Sequence, residues 1–176
     1  AKSRLLCLEN TTGGKVLPLD YLEAATNLAK EQGLLNHLDG ARVFNAAVKL
    51  GVDVKEIAKY FDSVSICLSK GLGAPVGSVL CGNKELIKEA HRWRKMLGGG
   101  MRQAGIIAAA GIYVLENNVQ RLEEGHANAA LLGQELSKIP VLEADLEYLH
   151  TNMLFLKTKT GDFNALSKFL EHRDIL

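Results

Sequence analysis

Four short apolar runs, separated by stretches in which apolar residues return every three or four positions, set the plan of this chain. RLLCLEN (Arg4 to Asn10) reads as a buried strand running into the turn Thr11-Thr12-Gly13-Gly14. Pro18 then starts a helix predicted over Leu19 to Gln32, with Leu22, Ala25, Leu28 and Ala29 on one face, and Gly33 ends it. LLNHLD (Leu34 to Asp39) is a second strand. Helical spacing returns from Val43 to Leu50 and again from Val54 to Tyr60. SVSICLS and GSVLCG give a third and a fourth strand. This alternation predicts an α/β fold whose sheet is largely parallel at its centre, with helices on its faces. From Lys84 the pattern stays helical, broken at Gly98-Gly99-Gly100 and bending near Asn117-Asn118. After Pro140 the composition changes: TNMLFLKT reads as a strand and FNALSKFLEHR as an amphipathic helix, the start of a smaller α+β unit. The expected division is therefore 1–118, a connecting helix over 119–139, and 140–176. No internal repeat or low-complexity segment interrupts it.

Composition narrows the picture by exclusion. The chain has 176 residues, 47% hydrophobic and 23% charged, ordinary values for a globular protein with ample material for a core. A net charge of +1 carries no electrostatic footprint for nucleic acid or an anionic membrane surface. No apolar run approaches the length of a transmembrane helix, and LLCL is too short for the apolar region of a signal peptide. Cys7, Cys67 and Cys81 are odd in number and lack metal spacing. That argues against a disulfide framework and for a reducing compartment, with the three thiols as small core hydrophobes.

Candidate chemistry gathers at the strand ends, where open α/β sheets bind their ligands. Asp39 closes the second strand and Lys70 follows the third, roughly 30 residues later, the span of one βαβ unit. Such a pair can be a plain ion pair. The same two residue types are also what pyridoxal phosphate needs: an amine for its Schiff base, and a carboxylate to keep its pyridine nitrogen protonated. Glycines at 71, 73 and 77 would let backbone approach such a cofactor closely. Two nucleotide readings of these glycines fail. Gly71-Leu72-Gly73 lacks the later glycine of a dinucleotide fingerprint, and Lys70 precedes the glycines instead of following them as in a phosphate-gripping loop.

HLDGARVFNA (His37 to Ala46), SICLSKGLGAPVGS (Ser65 to Ser78) and RWRKMLGGGMRQAGIIAAAGIY (Arg92 to Tyr113) resemble the L-threonine aldolases of the low-specificity and L-allo type. LENTTGGKVLP and TNMLF are similar to the same family, so the match runs in order along nearly the whole chain. The resemblance implies the aspartate-aminotransferase-like fold, fold type I of the pyridoxal-phosphate enzymes. This chain would then supply the C-terminal part of the large domain, with its mixed, mostly parallel sheet, and the start of the small α+β domain. It implies pyridoxal 5'-phosphate as cofactor, a homotetramer built as a dimer of dimers, and a cytoplasmic place in threonine catabolism and glycine formation. The implied reaction is that of a carbon–carbon lyase, cleaving L-threonine or L-allo-threonine, small β-hydroxy-α-amino acids, to glycine and acetaldehyde.

Carried over by position, the resemblance makes Lys70 the Schiff-base lysine and Asp39 the partner of the pyridine nitrogen. Arg42 would contact the phenolic oxygen of the cofactor or the substrate carboxylate, and its planar fork suits the latter. Taken without the family, a salt bridge to a nearby acid is the lesser alternative for Arg42. Arg102 and Lys95 would approach a cofactor phosphate in the neighbouring subunit; by themselves they read as a solvated helix face. His37, two residues before Asp39, shares its face but reads best as a satisfied core histidine. Asn10 either caps the turn or reaches the cofactor rim. Trp93 and Met96 read as packing residues, and Gly105, Ala108, Ala109 and Gly111 as close helix packing. Thr12 stands where many relatives have histidine.

Members of the family are roughly twice this length, so the chain is expected to be a fragment. The phosphate-gripping turn, the ring-stacking histidine, the base for the β-hydroxyl and a second carboxylate-binding arginine are expected outside it. Two other functions stay open from the residues: another fold type I enzyme, such as an aminotransferase or β-eliminating lyase, and a module that folds or pairs without turnover.

Overall fold

The computed structural model describes residues 2–159, 161 and 163–175. Strands β1 (Leu5–Glu9), β2 (Leu35–Asp39) and β3 (Ser63–Cys67) run parallel, and β4 (Ser78–Gly82) returns antiparallel to β3, in the order β1-β2-β3-β4. Helix α1 (Leu19–Glu31) connects the first pair, and α2 (Val43–Leu50) with α3 (Val54–Ala58) connects the second. The sheet is parallel at its centre, as the alternation of patterns predicts, and mixed as a whole, as the resemblance implies.

Register explains which face is covered. Leu8, Leu38, Val64 and Cys81 form one row across the four strands. Leu38 and Val64 in that row join Leu22, Val43, Ala46, Ala47 and Ile57 in the main core, between the sheet and α1–α3. The alternate rows face the other way. Glu9, Asp39, Ser65 and Leu80 lie side by side, as do Cys7, His37 and Ser63, and Leu5 pairs with Leu35. Leu5, Leu35 and Leu80 on this second face are exposed. Parallel strands are ordinarily covered on both faces, and here the second is open over β1 and β2, while α4 (Lys84–Met96) lies against it at Gly82 on the β4 edge.

Several sequence expectations change. β1 is half-open, not buried. Cys7 and Cys81 are exposed and Cys67 is intermediate, so the thiols are not core hydrophobes. The buried face of α1 is Leu22, Thr26 and Ala29, while Leu28 is exposed. Thr26 fits because its hydroxyl donates to the Leu22 carbonyl at 2.7 Å, satisfying its polar atom within the helix. Gly33 does end the helix, at φ +69° with its N–H on the Lys30 carbonyl.

Beyond the sheet come α4 (Lys84–Met96), α5 (Gly105–Asn117) and α6 (Leu122–Ser137), then β5 (Leu142–Ala144), β6 (Leu156–Thr158) and α7 (Asn164–Glu171). The expected bend near Asn117-Asn118 is a helix end. TNMLFLKT is strand only over its last three residues, and β5, its antiparallel partner, has no counterpart in the sequence reading. Trp93 and Met96 are exposed in this chain. No helix among the described residues is long and apolar enough to cross a membrane.

Candidate active site

Because β2 and β3 are parallel, Asp39 and the segment leaving β3 emerge on the same rim of the sheet, beside the end of β1. Asp39 is exposed, and one carboxylate oxygen accepts the Ala41 N–H at 3.0 Å. Its own backbone is fixed on both sides: its carbonyl accepts from Asn10 N, and it pairs with Glu9 and Ser65 in the sheet. Arg42, half-buried, stands at the start of α2, where its carbonyl accepts from Asn45 N and Ala46 N.

Lys70 is exposed in a tight turn. Its carbonyl accepts the Gly73 N–H at 2.9 Å, and Gly73 takes φ +87°, a region that favours glycine. Leu68 closes the loop from both sides, donating to the Gly77 carbonyl and accepting from Ala74 N. Leu68, Leu72 and Ala74 are buried with Val114 of α5 and Leu122 of α6 in a second core cluster. The lysine therefore stands on a loop whose neighbours are anchored, while its own side chain is exposed. Asn118, at the end of α5, adds a 2.7 Å hydrogen bond from its Nδ2 to the Leu72 carbonyl.

The ion-pair reading of these charges does not hold. The ion pairs among the described residues are Lys59–Glu56, Arg121–Glu124 and Lys138–Glu135, all on the surface; Lys70, Asp39 and Arg42 take part in none. An exposed amine and an exposed carboxylate on one rim, not neutralising each other, match the donor set that pyridoxal phosphate requires. Beside them, burial pushes the Cys67 thiol up, but the hydrogen bond to Ser69 and the Lys70 charge outweigh it, leaving the thiol below its ordinary range.

The remaining expected residues are placed less centrally. His37 lies on the open face, its Nδ1 hydrogen-bonded to Ser63 Oγ at 2.7 Å, so it is satisfied but not in the core. Asn10 is fully buried; its Oδ1 accepts from Leu17 N while its Nδ2 lacks a partner. Lys95 and Arg102 are exposed, the first in the last turn of α4 and the second in the turn before α5. The Lys95 side chain lies so close over Gly100 that a Cβ there would collide with it. A cleft of about 670 Å³ lies elsewhere, between α2 and the end of α5, lined by Phe44, Val48, Val52, Leu115 and Val119 among others. Asn118 holds the Lys70 loop through the Leu72 carbonyl; the Asn117-Asn118 pair signals a break in the helix, and nothing in the sequence links it to this loop.

Comparison with known proteins adds the family. The chain is 53% identical over 176 residues to the low specificity L-threonine aldolase of Escherichia coli K12, covering all of this chain and 52% of that protein. It is 43% identical to low-specificity L-threonine aldolase 1 of Arabidopsis thaliana, covering 99% of this chain and 50% of that protein. The chain thus spans about half the length of the relatives it matches. Among solved structures, a protein of Exiguobacterium sp. 255-15 described as an aromatic amino acid beta-eliminating lyase/threonine aldolase superposes with a TM-score of 0.85. It shares 27% identity and covers 97% of this chain and 49% of that one. The threonine aldolase of Leishmania major shares the fold at a TM-score of 0.73 and 21% identity, covering 96% of this chain and 49% of its own. The fold is that of the type I pyridoxal-phosphate enzymes, and, with the family model matching residues 1–159, the chain belongs to the beta-eliminating lyases.

Proposed function

We propose that the polypeptide carrying this chain cleaves L-threonine or L-allo-threonine to glycine and acetaldehyde, with Lys70 and Asp39 as its catalytic residues. The observation that supports this best is the pair itself: an exposed amine and carboxylate on one rim of parallel strands, unpaired with each other. Bound there, pyridoxal phosphate supplies an aldehyde that an amine can capture and a ring that withdraws electrons from the carbon bearing the amino group. Lys70 provides the amine. Asp39 holds a proton on the ring nitrogen, its geometry kept by the Ala41 N–H. Arg42 presents its fork to the substrate carboxylate or to the phenolic oxygen. Arg102 and Lys95 reach the phosphate of a cofactor in a neighbouring subunit.

The same reading takes residues 1–118 as part of the large domain, 119–139 as the connecting helix and 140–176 as the start of the small domain. It also takes the assembly to be a cytoplasmic dimer of dimers. The exposed apolar surface of α5 and the three free thiols are in keeping with this.

The test is reductive trapping. Borohydride treatment of the cofactor-loaded protein, followed by peptide mapping, should place the label on Lys70, and Lys70→Ala should lose both the label and acetaldehyde release. A label on Lys84 or Lys95 would overturn the assignment. Amino transfer to a keto acid in place of acetaldehyde release would move the activity to another member of the fold.

A further inference from the structure

Under the Lys70 loop lies a polar node that the proposed chemistry does not use. Asn45 of α2 is 4% exposed. Its Nδ2 faces His126 Nε2 of α6 at 3.1 Å and donates to Asn152 Oδ1 at 3.4 Å. With the Asn45 amide nitrogen facing His126 Nε2, the contact is a hydrogen bond when Nε2 offers a lone pair, that is, when the ring is neutral and protonated at Nδ1. The opposite edge of the node faces the residue after the lysine. A Cβ built on Gly71 would lie 3.8 Å from Asn45 Oδ1, 3.8 Å from Asn152 Nδ2 and 2.9 Å from Leu122 Cδ2. Gly125, next to His126, comes equally close to Asn152, whose Cβ is 3.8 Å from its own Cβ position. Three separate parts of the chain thus meet on one buried amide beside Gly71, with Asn152 and Gly71 themselves exposed.

We propose that Asn45, His126 and Asn152 are positioning residues for Lys70: neutral His126 fixes the orientation of both amides, and these seat the Gly71 backbone from which the lysine is held. The inference rests on the assignment of Lys70 made above. A proton on His126 Nε2 would set donor against donor at Asn45. Relief requires Asn45 to turn over, and Asn152 with it, exchanging the oxygen and nitrogen presented to Gly71. Burial and the Lys49 charge on α2 oppose that proton, while Glu123 on α6 favours it, and the balance holds the ring below the ordinary histidine range. The loop is therefore seated at neutral pH and released in acid.

Hydrogen exchange read by mass spectrometry tests this with or without cofactor. In the full-length protein at about pH 7.5, His126→Leu should speed exchange in the peptide over residues 68–74 by about fivefold or more, leaving residues 35–39 unchanged. His126→Gln, whose Oε1 accepts at every pH, should match the parent there, and should lack the parent's faster exchange as the pH falls below the ordinary histidine range. Loading with cofactor adds a spectroscopic readout. The lysine-bound cofactor's absorbance should show an acid-side inflection in the parent that is missing in His126→Gln. Parent-like exchange in His126→Leu overturns the proposal, as does a parent-like acid response in His126→Gln. If the leucine variant loosens the sheet as well, the glutamine variant alone decides. A reductive label on another lysine would sink the assignment of Lys70, whereas the seating of residues 68–74 is read independently of it.

Discussion

Asp39 keeps one oxygen on a backbone N–H, and that detail makes its replacement informative. An asparagine in its place would still accept the Ala41 N–H through its carbonyl oxygen, so the rim should keep its shape. The amide has no charge to hold a proton on a ring nitrogen. Asp39→Asn should therefore retain cofactor while cleavage falls by about 10²–10³-fold, the scale at which a single electrostatic contact to developing charge is lost. Steady-state kinetics beside a cofactor titration would check it, and near-normal turnover would assign the proton to another group. His126 makes a second residue-level case. Its pKa in the fold lies below the ordinary 6.5, chiefly through burial, so the unfolded chain takes up a proton that the folded one refuses. Its contribution to stability is complete above about pH 6.5 and is lost as pH falls through the folded value. Denaturant midpoints should decline on acidification, and His126→Gln should flatten part of that decline.

Elements hold the loop more firmly than any single contact. The turn after β3 is pinned by Leu68, Leu72 and Ala74 in a cluster shared with α5 and α6, and by the Asn118 amide. Asn118→Ala would leave the Leu72 carbonyl without this partner in a buried setting. We expect a loss of about 1–3 kcal/mol in unfolding free energy, measurable by denaturant titration, with the sheet unaltered. Gly71→Ala acts on the same loop for a different reason. A methyl there would press on Leu122, itself buried, and push the turn outward. Under the main sheet Leu38 is fully buried between α1–α3 and its neighbours, and Leu38→Ala should cost about 2–5 kcal/mol in the same measurement. Equal stability of that variant and the parent would mean that the β2 core is not formed as described.

At the scale of the molecule, surface left bare is the leading feature. Leu5, Leu35 and Leu80 stand exposed on the second face of the sheet. α5 is apolar nearly all round, yet it buries only Gly111 and Val114, with Ile106 at 78% and Tyr113 at 62% exposed. A helix of that composition is ordinarily enclosed, and an open parallel sheet ordinarily covered. The 176-residue chain expressed alone should consequently associate. Light scattering on a sizing column should give a mass well above the 19.1 kDa of one chain, and a monodisperse monomer would contradict this.

Sequence periodicity by itself located the strands and most helices of the sheet unit, because apolar spacing and the boundary residues Pro18 and Gly33 act locally. It also placed Asp39 and Lys70 at strand ends, since a parallel βαβ unit must bring such ends to one rim. Three things were decided only by the tertiary structure. The first was the absence of an ion pair between Asp39 and Lys70, which depends on where two flexible side chains lie in space. The second was the phase of α1, where Thr26 displaced Leu28 from the core because its hydroxyl could be satisfied inside the helix. The third was the meeting of Asn45, His126 and Asn152, residues far apart along the chain. A lone polar side chain carries no periodic signal, and its partner becomes defined only when helices pack.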